Sequence, residues 1–350
     1  MLEAIGNREL IVLDGLGVRL RGTYHRPADR THDSTTGDST TGDSTAGDSA
    51  ASRTKLNRTG VLFVNSLSLP RAASGDSAVY WADSMAAHGY PAFRIDLPGL
   101  GDSEGEASPD LLDTISSGDL AAVGAGAAKQ LVQRFGLTGM VIFGHCAGAV
   151  SALFAGAASS ECAGLILLDP YFHLPQAKRP KVRQELSDWA RRSRVGAFLS
   201  NSYDRARKLR LALRGSALPG NANSALLARW KQVAAAGLPI LLLKAPGIKA
   251  QGSKPRAGEF DYIGYVLKLA GRKSRVSVDF VEGADHSFAN HAGRKAVERL
   301  IAGWLTAQFP LTNFSPSARN VSLLRVDKKQ NESRESQAAP ADLGCALEGR

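Results

Sequence analysis

Cysteine is scarce in this chain. Cys146, Cys162 and Cys345 are the only three, too few and too scattered for a disulfide framework or a zinc site. Long apolar runs are also missing. No stretch reaches the roughly 18 uninterrupted apolar residues of a membrane span. Residues 1–10 carry Glu3, Arg8 and Glu9 around no apolar segment, so no secretory signal is expected either. A cytoplasmic protein with no integral membrane association is the expectation. A formal charge of +10 invites a nucleic-acid reading, but no aromatic-interleaved or helix-turn-helix pattern accompanies it. No cofactor and no metal is expected. What the chain does have is 43 % apolar residues, enough for a sizeable core. Its 350 residues suit one α/β domain of about 250 residues with additions.

Residues 10–13 and 18–24, separated by Asp14-Gly15-Leu16-Gly17, predict a β-hairpin whose glycines make the turn. Composition then collapses into a five-residue repeat, Ser34-Thr35-Thr36-Gly37-Asp38 and its two copies, without one large apolar side chain. With nothing to bury, residues 29–59 are expected to be a disordered insert. From there strands are predicted at 61–64, 91–95, 140–143, 165–168, 239–243 and 276–280. Helices are predicted at 78–88, 113–135 (ended by Gly136), 147–157, 262–269 and 294–307. Residues 171–236 show no convincing core strand and are expected to form a helical cap. The tail from 311 to 350 is expected to be disordered. Strands alternating with helices at this spacing imply an α/β fold with a mostly parallel sheet flanked by helices.

The chemistry begins at Gly144-His145-Cys146-Ala147-Gly148, between a predicted buried strand and a small-residue helix. A nucleophile lifted on a sharp strand-to-helix turn needs small neighbours two residues away on either side, and Gly144 and Gly148 supply them. The helix N-terminus there favours a thiolate and a developing oxyanion. Pentapeptides of this kind arise often by chance, and an ordinary buried cysteine at a helix start is the plain alternative. Its placement between strand and helix favours Cys146 as nucleophile.

After the last predicted strand comes Gly283-Ala284-Asp285-His286-Ser287-Phe288. His286 follows the nucleophile in chain order and is the expected general base. The third member is open. The segment after residue 243, Lys244-Ala245-Pro246-Gly247, offers no carboxylate. Asp169, at the end of the strand 165–168, and Glu259 are the candidates, Asp169 ranked first. Asp285 adjoins His286, so its side chain is expected to point elsewhere. A cysteine paired with a protonated histidine depends less on a third carboxylate than serine does. For the oxyanion, the backbone N–H groups of Leu67 and Ala147 are expected as donors. Asn65 is expected to brace the loop.

Taken together, the elbow, Asp96-Leu97-Pro98-Gly99-Leu100-Gly101-Asp102-Ser103 and the segment 283–288 resemble the α/β hydrolases of the serine-aminopeptidase and lysophospholipase-like type. The likeness runs over residues 10–309 apart from the insert. The cysteine elbow followed by Leu168-Asp169-Pro170-Tyr171 looks like a bacterial branch associated with exopolysaccharide and exosortase gene sets. This resemblance implies Cys146 as nucleophile and His286 as base, acting on an ester or thioester. It does not fix the substrate, since the fold hosts esterases, thioesterases, acyltransferases and non-enzymes.

The charge is localised. Residues 174–231 hold fourteen Lys and Arg against Glu185, Asp188 and Asp204, a net of +11, which leaves the rest of the chain slightly acidic. A solvated helical face is one reading. The other is a lid that draws in a small anionic acyl substrate, with Trp189 and Trp230 on its apolar underside.

Overall fold

Successive side chains of a strand point to opposite faces of its sheet, and along the middle of this chain both sets are apolar. Strand β3 (Thr59–Val64) turns Leu62 and Val64 to one face and Val61 and Phe63 to the other. Strands β5 (Gly139–His145), β6 (Cys162–Leu168) and β7 (Ile240–Lys244) divide their side chains in the same way. Strands buried on both faces need helices on both. A computed structural model describes residues 7–28, 58–174, 218–245 and 260–311, and it shows that arrangement.

Among the described residues eight strands form one sheet in the order β1-β2-β4-β3-β5-β6-β7-β8. The hairpin is β1 (Arg8–Leu13) and β2 (Leu20–His25), with Gly15 and Gly17 at positive φ in its turn. Strand β2 pairs antiparallel with β4 (Ala92–Ile95), and from β4 to β8 (Val276–Phe280) every pairing is parallel. On one face lie α3 (Ala121–Phe135), α4 (Ala147–Ala158), α5 (Ser224–Ala235) and α6 (Tyr262–Ala270). On the other lie α1 (Ser77–Ala87) and α7 (His291–Gln308), around the buried Trp81, Phe143 and Ile301. Among the described residues no helix is long and apolar enough to cross a membrane.

Three expectations need adjusting. The helix predicted over 113–135 is two helices, α2 (Leu111–Ser117) and α3, broken at Gly118 with φ 84°. A Cβ at Gly118 would lie 2.5 Å from the Phe154 ring, so close packing against α4 requires glycine there. Gly136 does end α3, with φ 59°. Trp230 does not line a lid. It is fully buried against the edge of Phe172, and its indole N–H donates to the Val266 carbonyl (2.7 Å). Its helix, α5, belongs to the layer covering the sheet, with Asn223 as N-cap, accepting from Leu226 N–H (3.0 Å) and donating to the Ser116 carbonyl (2.8 Å). Arg229 and Lys231 are on the solvent side of that helix. Finally, strand β3 begins at Thr59, the last residue assigned to the insert. Residues 29–57, 175–217 and 312–350 lie outside the described residues.

Candidate active site

The carboxyl ends of β5, β6, β7 and the chain after β8 are joined by three backbone hydrogen bonds beyond the strands. Cys146 N–H donates to the Leu168 carbonyl (2.8 Å), Asp169 N–H to Leu243 (2.7 Å) and Val281 N–H to Lys244 (2.9 Å). Four segments that carry candidate residues therefore meet along one edge of the sheet, where open α/β folds place their sites.

Cys146 occupies the turn between β5 and α4 with φ 53° and ψ −115°. A non-glycine residue held there costs about 1–3 kcal/mol, which the surroundings must offset. The neighbouring glycines explain how the turn closes. A Cβ on Gly144 would sit 2.0 Å from the Gly148 carbonyl oxygen, and one on Gly148 would sit 2.8 Å from that of Asn65. No side chain fits at either position. The thiol is free and partly exposed.

His286 hangs from the loop after β8. Asp285 shapes that loop. Its Oδ1 accepts from the backbone of Ser287 and Phe288 (3.0 Å each) and from the Ser287 hydroxyl (2.6 Å), so it points away from the His286 ring, as expected. Phe288 is buried and packs edge-on against His145 with centroids 5.5 Å apart. His145, buried beneath the loop, donates from Nε2 to the His286 carbonyl (2.7 Å). Burial lowers the His145 pKa to about 4, so this ring is neutral at ordinary pH and the bond fixes its proton on Nε2.

The imidazole of His286 is hydrogen-bonded at Nδ1 to Asp169 Oδ2, which leaves Nε2 for the Cys146 thiol. The bond to Asp169, then that to Cys146, raises the His286 pKa to about 10. Asp169 is buried, which alone would push its carboxyl up. The bonds to His286 and the charge of Lys244 outweigh burial and hold it below the usual carboxylate range. Lys244, the last residue of β7, ion-pairs with the second oxygen, Oδ1. Cys146, His286 and Asp169 thus come together as a connected set. Glu259 lies outside the described residues.

On the opposite side of the elbow, Asn65 opens the loop that carries Leu67. Its side chain donates to the Leu69 carbonyl (3.0 Å) and accepts from Leu97 N–H (3.2 Å), the bracing expected of it. Leu67 has φ 45°. Ala147 is the buried first residue of α4. Because Gly148 backs onto the Val64 and Asn65 carbonyls, the Leu67 loop leaves the sheet beside the start of that helix.

Sequence reasoning missed three contributors. One is Lys244. Another is His145, whose signal was its place inside the elbow itself. The third is the fully buried Asp96, which accepts from Arg71 N–H (2.6 Å) and Asp102 N–H (3.1 Å) and ion-pairs with the Arg71 guanidinium. Asp96 anchors the far end of the Leu67 loop. A Cβ on Gly101 would lie 2.3 Å from its carboxyl carbon, so the Asp96–Ser103 turn wraps this anion tightly.

Residues 61–300 match the alpha/beta hydrolase family, and the chain belongs to that family. No curated protein matches it in sequence. Among solved structures it is similar to the esterase Pf2001 of Pyrococcus furiosus, with a TM-score of 0.53 at 11 % identity over 86 % of this chain and 93 % of that one. The α/β hydrolase GrgF of a Penicillium species gives 0.52 at 15 % over 86 % and 99 %. DcsB, solved with its substrate analogue, gives 0.51 at 13 % over 86 % and 99 %. At these identities the likeness is one of fold.

Proposed function

We propose that the protein hydrolyses an ester or thioester through an acyl-cysteine intermediate. The observation that carries this reading is the chain of contacts from Asp169 through His286 to Cys146 at the carboxyl edge of the sheet. Cys146 attacks the acyl carbonyl carbon as a thiolate, its proton held on His286 Nε2. The carbonyl electron pair moves to oxygen, where the N–H groups of Leu67 and Ala147 receive it. Collapse of the tetrahedral intermediate expels the alcohol or thiol, which takes the proton from His286. Water, deprotonated by His286, then attacks the acyl-cysteine and frees the acid. With an alcohol or glycan hydroxyl in place of water, the same intermediate would make the protein an acyltransferase.

The net +11 of residues 174–231 supports an anionic substrate such as a phosphopantetheine thioester, an acidic glycan or an anionic lipid surface. On this reading added salt slows turnover of an acyl-CoA more than turnover of a neutral ester. An equal response would exclude electrostatic recruitment.

Mass spectrometry after exposure to p-nitrophenyl acetate and to acyl thioesters tests the mechanism. An acyl adduct is expected on Cys146 and on no residue of Cys146→Ala. No adduct, with Cys146 no more reactive to iodoacetamide than Cys345, would leave a non-catalytic binding protein as the better account.

A further inference from the structure

We propose that Lys244 is a positioning residue for the base: by gripping Asp169 Oδ1 it keeps Oδ2 turned toward His286 Nδ1. This rests on the reading that Asp169 and His286 serve Cys146. Lys244 ends the strand after which the sequence offers no carboxylate, and it stands there with the opposite charge. Its backbone is tied on both sides, since Leu243 accepts from Asp169 N–H (2.7 Å) and the Lys244 carbonyl accepts from Val281 N–H (2.9 Å). The ammonium is thus delivered from a rigid strand end, not from a loop.

The need for it follows from burial. A buried carboxylate must have both oxygens satisfied. His286 bonds Oδ2 and Lys244 bonds Oδ1, and among the described residues these are the side-chain partners shown for it. With Lys244 removed, Oδ1 has no partner among the described residues, and the carboxylate gains by rotating toward solvent or taking up a proton. Either change weakens its bond to the imidazole. The opposing effect, relief of repulsion between the ammonium and the protonated ring, is the smaller one. The bond to Asp169 is the leading cause of the raised His286 pKa. Other groups facing the pair are Cys146 at the elbow, His145 behind the loop and Asp285 within it. Beyond Asp169 lie Tyr171 and His173, the latter feeling the Lys244 charge.

Histidine-selective NMR across a pH series tests this on the intact protein, with the His286 signal identified by its absence in His286→Gln. In Lys244→Met the midpoint of His286 should fall by about one pH unit or more, with acylation slowed about tenfold at little change in KM. Lys244→Arg should restore both. Should Lys244→Met fail to fold, Lys244→Gln keeps a donor without the charge and should give an intermediate midpoint. A midpoint unmoved or raised in either neutral variant, with near-ultraviolet circular dichroism unchanged, overturns the proposal. The NMR arm needs no turnover. An absent acyl adduct would therefore count against the mechanism without touching Lys244, and an adduct with an unmoved midpoint would do the reverse.

Discussion

Cys146 and Cys162 stand near the same helix, α4, at opposite ends of neighbouring strands, and their surroundings make them different reagents. Cys146 lies at the carboxyl edge, in a strained turn, beside His286. Cys162 opens β6 at the amino end, with its sulfur against Gly156, and donates to the Gly164 carbonyl (3.4 Å). Burial pushes its thiol up to about 12. Only the carboxyl edge brings a proton acceptor and a helix N-terminus to the sulfur. The amino edge provides a bond that keeps the proton in place. On the proposed mechanism, reactivity depends on which end of the sheet a cysteine occupies.

Breaking the elbow should give the largest effect. Gly144→Ala puts a methyl 2.0 Å from the Gly148 carbonyl oxygen. Displacing the turn by even about 1 Å should cost a hundredfold or more in acylation rate. The same change at Gly303, where a Cβ meets nothing within 4 Å, should leave the rate within twofold, as stopped-flow measurement would show.

Asp169→Asn should come next. It keeps the shape but removes the charge that holds the imidazolium, and a loss of roughly tenfold to hundredfold is expected. The pH dependence of stability sharpens the same point. His286 has its folded pKa raised to about 10 from 6.5. Its contribution is therefore full below about 6.5 and is lost as pH rises toward 10. The ring is more than half exposed, so solvent screening keeps the effect modest. Thermal melts should show wild type losing more stability than Asp169→Asn between pH 6.5 and 10. Parallel curves would mean that the contact adds nothing.

Cys162→Ala should have the smallest effect. It should leave acylation unchanged and lower stability by about 1 kcal/mol, readable as a small drop in Tm. Alkylation of Cys162 at neutral pH as fast as that of Cys146 would erase the contrast between the two edges.

How much of this was legible in the sequence varied with distance along the chain. The elbow could be read because its demands fall within five residues, where Gly144 and Gly148 must be small for Cys146 to turn. The hairpin, the strands from β3 to β8 and most helices followed from apolar periodicity. The break at Gly118 did not, because the reason for it is the ring of Phe154, thirty-six residues on. The basic sequence around Trp230 suggests a lid, but amphipathic spacing says nothing about which layer a helix joins.

The contact partner of His286 belongs to the second kind of information. Position in the chain left Asp169 and Glu259 both as candidates, with Asp169 ranked first. Strand order brings β6 beside β5 and β7, and this sets the Asp169 carboxylate within reach of a histidine 117 residues away and a lysine 75 away. Sequence by itself determined that a cysteine would be lifted at a strand end, because that depends on local steric fit. That Asp169 meets His286 and Lys244 was decided by the pairing of strand ends, a contact that exists only once the sheet has formed.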